Sequence, residues 1–294
     1  MKILVFGADG FVGSAVVKEL SNKHDLFKAM REKSEAKNEV SVDLKDKGTI
    51  LKALINIKPE VVINCAGVVE NSEKANLNVV FTSNLLEVIK DSNQAIKRII
   101  ICGSASEYGV VGNDKKAVSE TTRLNPNSLY GQSKIKESTL ALEFGKKNKL
   151  PVIVVRIFNP IGTGMNPRLL LPNILNQIDE IKNNKRKNLE INRLDSNRDY
   201  INIKDVASAI SLLVENNPKH KVYNIGSGAS TSNKELIDFA LVANNIKSEI
   251  IEVSLDKEPN YASKADISRL RDEFGWASKY SVSETLREIV SGNK

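Results

Sequence analysis

The sequence contains few of the residues that build metal centres and disulfide frameworks. Two cysteines and two histidines occur among its 294 residues. His24 and His220 lie far apart, and no cysteine is spaced to join them as a ligand, so we expect no bound metal. Cys65 and Cys102 each end an apolar, β-branched run, where a free thiol usually packs as a small hydrophobic side chain. We expect both to be buried, reduced and non-catalytic.

Long apolar runs are also missing. Runs such as Val152 to Val155 have the length of a strand, whereas a helix that spans a membrane requires roughly 18 consecutive apolar residues. The run from Ile3 to Phe6 ends at Gly7, too early for the roughly 7-residue apolar core of a secretory signal. We therefore expect no membrane span, and a cytoplasmic location is the default expectation.

Neither sign of charge is in strong excess. The chain has 43 Lys and Arg against 36 Asp and Glu, a net charge of +7, and 5% aromatic residues. The densest basic run, Lys182 to Lys187, contains no aromatic residue, so a solvated helix end fits it better than a nucleic-acid site. The sign of the charge suits small anionic substrates. With 41% hydrophobic residues, the chain can bury a large core, which excludes disorder and a coiled coil.

Strand and helix patterns alternate through the first two thirds of the chain. The predicted strands are the β-branched runs at residues 2–6, 26–30, 40–42, 61–65, 98–102 and 152–157. The predicted helices have apolar residues at helical spacing and cover residues 11–20, 47–56, 77–92 and 128–147. This alternation predicts an α/β fold, a doubly wound parallel sheet with helices on both faces.

The pattern changes after Pro160. Helical patterns at residues 169–182, 204–215, 233–243 and 282–290 are separated by short strands such as VYNI at 222–225. They predict a smaller, less regular α+β lobe. We expect a first domain over residues 1–160 and a second over 161–294, with some segments of the second returning to the first.

A glycine triplet lies between the first strand and the first helix. Gly7 permits a tight turn, Gly10 lets the backbone approach a pyrophosphate, and Gly13 lets the helix pack close to the strand. Phe11 and Val12 begin the helix, whose N-terminus stabilises negative charge. The spacing is GxxGxxG, and its position between strand and helix predicts a bound dinucleotide.

The residues that follow the next strands bear on which dinucleotide binds. Arg31 follows the second strand, and a basic side chain there accommodates a 2′-phosphate where a carboxylate would bind a ribose hydroxyl. NADP(H) is therefore favoured, and NAD(H) remains an alternative. Asp43 and Leu44 follow the third strand and are placed to contact the adenine. Ala66 and Gly67 close the fourth strand with small residues, as needed where the backbone passes under a cofactor.

Three polar residues form a candidate catalytic set. Tyr130 and Lys134 have the i,i+4 spacing that puts both side chains on one face of a helix. The lysine ammonium is expected to lower the pKa of the tyrosine, which could then transfer a proton while a hydride moves. Ser104, just past the fifth strand, could polarise a carbonyl or alcohol that lies on the cofactor.

These residues belong to an ordered series of motifs. The series is GADGFVG (7–13), VDL (42–44), NCAG (64–67), GSASEYG (103–109), YGQSK (130–134), RIFNPIGTG (156–164), RDYINIKDVA (198–207) and YNIGSG (223–228). In order and approximate spacing it resembles the extended short-chain dehydrogenase/reductase family, specifically its nucleotide-sugar epimerases, dehydratases and reductases. The resemblance covers nearly the whole chain.

The resemblance implies a Rossmann domain, a nucleotide-sugar substrate and a homodimer. It implies that Ser104, Tyr130 and Lys134 carry catalysis, that Lys134 also binds the nicotinamide ribose, and that Ser104 contacts substrate. Asn159 and Arg198 resemble the residues that bind the phosphates of the nucleotide sugar. The second lobe resembles the nucleotide-sugar domain, and neither nucleic acid nor a membrane is an expected partner.

Departures from the family patterns favour one reaction over others. Dehydratases of the family have Asp-Glu directly after the catalytic Ser or Thr, where this chain has Ala105 and Ser106. Glu107 could replace them only if the loop slipped by one residue, so a 4,6-dehydration is not expected. GSASEYG resembles the GSxxEYG pattern of GDP-4-keto-6-deoxymannose reductases and related 4-ketoreductases. A 4-epimerase is the main alternative, since the same three residues can oxidise and re-reduce C4.

A non-catalytic, NADP-binding regulator is a remote alternative, because such a protein is expected to lose the tyrosine or the lysine. Lys257 is a candidate for the basic phosphate partner that many epimerases have before the final helices. Four further polar residues receive no role from the sequence. They are Glu107, Tyr108, Arg193 and Asp195.

Overall fold

A computed structural model describes residues 1–32, 36–109, 117–247, 249–252 and 263–292. Its strands are β1 (Lys2–Phe6), β2 (Asp25–Met30), β3 (Glu39–Ser41), β4 (Val61–Asn64), β5 (Arg98–Ser104), β6 (Val152–Ile157), β7 (Pro160–Ile161), β8 (Leu189–Ile191), β9 (Asn197–Arg198), β10 (Ile201–Asn202), β11 (Val222–Ile225), β12 (Thr231–Ser232) and β13 (Ile250–Glu252). Its helices are α1 (Phe11–Leu20), α2 (Lys47–Ile57), α3 (Leu77–Asp91), α4 (Leu129–Asn148), α5 (Leu170–Lys182), α6 (Ile203–Glu215), α7 (Asn233–Ala243), α8 (Ser268–Phe274) and α9 (Val282–Gly292).

A parallel sheet forms the centre of the molecule. In the described part of the chain it has seven strands in the order β11-β6-β5-β4-β1-β2-β3. The order reverses at β1, which has β2 on one side and β4 on the other. In such a sheet a crevice opens at the carboxyl ends of the strands, at the point of reversal. The predicted doubly wound α/β fold is confirmed.

The two faces of the sheet carry two separate hydrophobic layers. Ile3 and Val5 point to the layer that α1 and α6 cover, and Leu4 and Phe6 point to the layer under α2, α3 and α4. Successive side chains of a strand alternate between the faces. Both faces of β1 are therefore buried, as its uninterrupted apolar sequence predicts for a central parallel strand.

Several predicted boundaries needed small corrections. The fifth strand continues past Cys102 to Ser104, because Ser104 is still in register with Ile157 of β6. The short helix α8 has no counterpart among the predicted elements. Its Leu270 packs in the core layer beside α1, together with Trp276.

The second lobe surrounds a third hydrophobic cluster. The helices α5, α7 and α9 and the strand β8 supply it, through side chains such as Leu171, Leu236, Leu286 and Leu189. The strand VYNI does not lie among these helices. It is β11 and extends the main sheet beyond β6, with Tyr223 in register with Val155. The helix α6 likewise packs on α1, so the chain returns to the first lobe after entering the second.

No helix within the described ranges has both the length and the apolar character needed to cross a membrane.

Gly13 is where α1 comes closest to the turn after β1. A Cβ atom at this position would lie 1.9 Å from the carbonyl oxygen of Gly7. We expect Gly13→Ala to lower the free energy of unfolding in urea by at least about 1–3 kcal/mol, because the backbone must shift to accept it. Gly292→Ala is the matched control, since nothing lies within 4 Å of its added Cβ. Equal stability of the two variants would contradict this close approach.

Candidate active site

A cleft of about 440 Å³ opens at the carboxyl ends of β4, β5 and β6. Residues of both lobes line it, including Gly10, Ala66, Ser104 and Tyr130 from the first and Leu169 from the second. A second cavity of about 330 Å³ continues along the ends of β1, β2 and β3 and shares Ala66 and Gly67 with the cleft. The two cavities together follow the sheet edge on which the predicted site residues lie.

The glycine loop joins β1 to α1 at this edge. Gly7 has φ +67°, and a Cβ atom there would lie 2.6 Å from the backbone nitrogen of Ala66, so a side chain is excluded for two reasons. The helix begins after Gly10, and no side chain in the described ranges caps it. Its first backbone N–H groups have no partner within the helix, and Gly10, Phe11 and Val12 line the cleft. This geometry fits a bound pyrophosphate.

The second cavity contains the residues predicted to contact the adenosine. Arg31 is exposed at its edge, beside Asp43 and the buried side chain of Leu44. Sequence analysis did not identify two further acidic residues here, Asp9 and Glu32. Both Arg31 and a carboxylate are therefore present where the ribose 2′ position of a dinucleotide would lie, and this end of the site fits NAD(P).

The three predicted catalytic residues meet in the cleft. Tyr130 and Lys134 lie on the first turns of α4 and line the cleft together with Ser104. Ser104 ends β5, and its hydroxyl accepts a hydrogen bond from the backbone nitrogen of Ser106 at 3.1 Å. Lys134 is only 4% exposed and donates to the carbonyl oxygen of Cys102 at 2.6 Å.

The pKa of Tyr130 differs from the sequence expectation. Burial raises it, while the Lys134 ammonium and the Ser104 hydroxyl oppose that effect and the carboxylates of Glu137 and Glu107 add to it. The net direction is upward, whereas the sequence predicted a lower pKa. That prediction considered the lysine, but not the burial or the two carboxylates. In the protein alone, Tyr130 is therefore a protonated phenol at neutral pH.

Asn159 and Arg198 also line the cleft. The Asn159 amide donates to the backbone oxygen of Asp199 at 2.9 Å. The buried Asp199 carboxylate accepts hydrogen bonds from the backbone nitrogens of Ser227, Gly228 and Ala265. It therefore fixes the YNIGSG loop against the strand that carries Arg198. Lys257 lies outside the described residues.

A family model described as the NAD dependent epimerase/dehydratase family matches residues 3–226. The chain belongs to this family. The GDP-6-deoxy-D-mannose reductase of Pseudomonas aeruginosa is 27% identical over 79% of this chain and 80% of its own length. The UDP-glucose 4-epimerase 2 of Oryza sativa subsp. japonica is 27% identical over 94% of this chain and 82% of its own length. Among solved structures, the Pseudomonas aeruginosa RMD protein complexed with NADPH is 26% identical, with a TM-score of 0.86, covering 99% of this chain and 97% of that one.

Membership of the epimerase/dehydratase family confirms the resemblance that the motifs indicated. The expected enzyme class, NAD(P)-dependent reductases and epimerases of nucleotide-linked sugars, is confirmed at the level of the family.

Glu107 is fully buried in this family member. One carboxylate oxygen accepts from the backbone nitrogen of Ser104 at 2.9 Å and from the Ser138 hydroxyl at 3.0 Å. The other accepts from Nε of Arg156 at 2.8 Å. Together with the bond from Ser106 to the Ser104 hydroxyl, these contacts form a capping box on the short 3₁₀ turn Ala105–Glu107. Glu107 therefore positions Ser104, a role that sequence analysis did not assign.

The other residues without a sequence-based role have structural partners. The Tyr108 hydroxyl is buried and donates to the Asn224 side chain at 2.7 Å, and burial raises the pKa of Tyr108 to about 12. Arg193 and Asp195 form an ion pair at 2.7 Å on the surface of the second lobe.

The two cysteines are half-buried and not fully buried as expected. Cys65 directly follows β4 and Cys102 lies near the end of β5, and both line the cleft. Their sulfur atoms are 3.6 Å apart, and both are free thiols. In the described ranges, no group of three or more acidic, histidine or cysteine side chains is arranged to hold a metal.

Arg156 is the buried cationic partner of Glu107. Arg156→Met should lower the free energy of unfolding by about 3–5 kcal/mol, because it leaves a buried carboxylate without its countercharge. Urea denaturation measures this loss, and the double variant Glu107→Gln/Arg156→Met should be more stable than Arg156→Met alone. Arg186→Met, which removes an ion pair with Glu180 on the surface, should cost little. Equal losses in Arg156→Met and Arg186→Met would contradict this account.

Proposed function

We propose that the chain is an NADP(H)-dependent reductase of a 4-keto sugar nucleotide, in particular a 4-keto-6-deoxy sugar, with Tyr130 as the proton donor. The observation that carries the proposal is the meeting of Tyr130, Ser104 and Lys134 in one cleft, where the half-buried Tyr130 phenol has a raised pKa. Reduction of a ketone requires an acid that is protonated before the hydride arrives. The relatives named a GDP-6-deoxy-D-mannose reductase and an RMD protein complexed with NADPH support this reaction.

Some of the chain's own residues bind the cofactor, and others act on the substrate. Reduced nicotinamide, when bound, supplies the hydride to C4 of the keto sugar and is oxidised. Tyr130 gives its proton to the carbonyl oxygen, Ser104 orients that oxygen by a hydrogen bond, and Lys134 binds the nicotinamide ribose.

The remaining predicted contacts serve binding. Asn159 and Arg198 bind the substrate phosphates in the second lobe. The cofactor is bound along the sheet edge by Gly7, Gly10, Phe11, Val12, Gly13, Arg31, Asp43, Leu44, Ala66 and Gly67.

A 4,6-dehydration is disfavoured by the surroundings of Glu107. Ala105 and Ser106 occupy the positions of the acid pair in dehydratases, and Glu107 would have to replace them. Its two oxygens already accept hydrogen bonds from Ser104, Ser138 and Arg156, and the residue does not line the cleft. Expulsion of the 6-hydroxyl would lack both its acid and its base.

A 4-epimerase is the second candidate, and it is favoured by the similarity to a UDP-glucose 4-epimerase. The same serine, tyrosine and lysine would serve, but the cofactor would be oxidised and re-reduced within one turnover. A non-catalytic regulator is disfavoured, because Ser104, Tyr130 and Lys134 are all present and in contact. We also propose a cytoplasmic homodimer, with a cofactor domain at residues 1–160 and a substrate lobe mainly within 161–294.

Tyr130→Phe removes the transferable proton and keeps the packing of the ring. We expect kcat for reduction of a 4-keto sugar nucleotide to fall by about 100-fold to 10,000-fold, with little change in cofactor affinity. Single-turnover oxidation of NADPH, monitored by absorbance, measures the step, and Tyr280→Phe, an exposed tyrosine, is the control. One NADPH should be consumed for each product formed. Turnover of a UDP-hexose without net NADPH consumption would establish the epimerase instead.

Arg31→Ala tests the choice of cofactor. Loss of a charge-assisted hydrogen bond to the 2′-phosphate should weaken NADPH binding by roughly 1.5–3 kcal/mol and leave NADH binding nearly unchanged. Isothermal titration calorimetry with both dinucleotides measures the difference, and Arg287→Ala on the exposed face of α9 is the control. An equal loss for both dinucleotides would refute the assigned role of Arg31.

A further inference from the structure

Glu137 lies on the same face of α4 as the two predicted catalytic residues. The positions 130, 134 and 137 are spaced i, i+4 and i+7, which places them in one row along the helix. Glu137 is 1% exposed. A carboxylate in such a position requires strong partners to remain charged.

The partners of Glu137 are specific. One carboxylate oxygen accepts from Nζ of Lys134 at 2.5 Å, and the other accepts from the Thr82 hydroxyl at 2.7 Å. Thr82 in turn accepts from the amide of Asn64 at 3.1 Å, and the Asn64 carbonyl accepts from the backbone nitrogen of Ala66 at 3.1 Å. A continuous chain of hydrogen bonds therefore joins Lys134 to the backbone at the floor of the cleft.

These contacts limit what Lys134 can do. An ammonium group has three N–H donors, and two of them are used by Glu137 and by the carbonyl oxygen of Cys102. One donor remains for the cleft. The side chain is thereby fixed in direction, and its charge is offset by the Glu137 carboxylate.

We propose that Glu137 is a positioning residue, which holds the Lys134 ammonium in one direction and offsets its charge beside Tyr130. This inference rests on the proposed function, in which Tyr130 donates a proton. It adds a reason why the site presents a proton donor before substrate binds. A lysine without this partner would favour the phenolate, the form suited to oxidation of an alcohol, whereas the lysine–carboxylate pair favours the phenol, the form suited to reduction of a ketone.

The charged groups that influence the pKa of Tyr130 are Lys134, Glu137 and Glu107, and the polar neighbour that does so is Ser104. Lys134 and Cys65 also interact, and Glu107 is paired with Arg156.

The causes of the two pKa shifts oppose each other. Burial raises the pKa of the Glu137 carboxyl, and the Lys134 ammonium and the Thr82 hydroxyl counteract this without reversing it. Burial disfavours charge on Lys134, but the carboxylate of Glu137 outweighs it and the pKa of Lys134 is raised. The short contact between the two groups is that of an ion pair.

Glu137→Gln tests the proposal without relying on activity. Replacement of the carboxylate by an amide removes a negative charge near Tyr130 and leaves the lysine charge unbalanced, and both changes lower the pKa of the phenol. We expect it to fall by about one unit, the lower end of the effect of one nearby charge. Near-ultraviolet absorbance of tyrosinate during a pH titration measures it, and Tyr130→Phe supplies the signal of the other tyrosines.

The control is Glu143→Gln, which makes the same chemical change at an exposed position of α4 and should leave the titration unmoved. The alkaline limit of NADPH-dependent reduction should shift with the phenol in Glu137→Gln, with a smaller change in kcat below that limit. An unchanged or raised pKa of Tyr130 in Glu137→Gln would overturn the proposal.

A second variant covers the case in which Glu137→Gln does not fold. Glu137→Asp keeps the carboxylate but withdraws it by one methylene from Nζ of Lys134, so the pKa of Tyr130 should fall in the same direction by less. A pKa of Tyr130 that does not move in Glu137→Asp would then overturn the proposal. Failure of the proposed function is distinguishable, because it would appear as full activity in Tyr130→Phe whatever the titration of Tyr130 shows.

Discussion

The site depends on one constraint, the parallel pairing of β1 with β4, of β4 with β5 and of β5 with β6. Each of these strands ends at the same edge of the sheet because all run in one direction. Gly7, Ala66 and Ser104 therefore come within one cleft although they are distant in sequence. The first helix adds its uncapped N-terminus to this edge, and α4 adds the tyrosine and the lysine. None of these groups would meet if one strand of the four were reversed.

A layer of buried charge between α4 and the sheet stabilises this arrangement. Glu107 with Arg156 and Glu137 with Lys134 are two ion pairs that exclude water almost completely. Buried pairs contribute little net stability compared with apolar packing, but each fixes its members in one geometry. The first pair determines where Ser104 lies, and the second determines where Lys134 points. The protein thus places buried ion pairs, whose desolvation costs free energy, where the orientation of Ser104 and Lys134 has to be fixed.

Much of the fold and part of the site could be predicted from sequence, because both depend on local patterns. The predicted bounds of β6 and α1 were correct, since β6 is a largely β-branched run and α1 has apolar residues at helical spacing. The glycine loop and the pair Tyr130 and Lys134 were identifiable because their function requires a fixed spacing.

The remainder depends on contacts between distant segments. The Glu107 carboxylate could face either the cleft or Arg156. The packing of β6 against β5 decides between them, and no local sequence pattern indicates that packing. The rise in the pKa of Tyr130 depends on burial and on the Glu137 carboxylate. The i+7 position of that carboxylate on α4 was a readable signal, but only its burial shows that it matters. The return of β11 to the main sheet was equally hidden, because a short strand does not indicate which sheet it joins.

The path of the chain between the lobes also bears on how the protein can move. After β6 the backbone enters the second lobe, returns through α6 and β11, leaves again for α7, and returns once more at α8. A domain joined by one linker can swing about a hinge, whereas each further crossing must bend at that same hinge. The crossings therefore restrict how one lobe can rotate against the other.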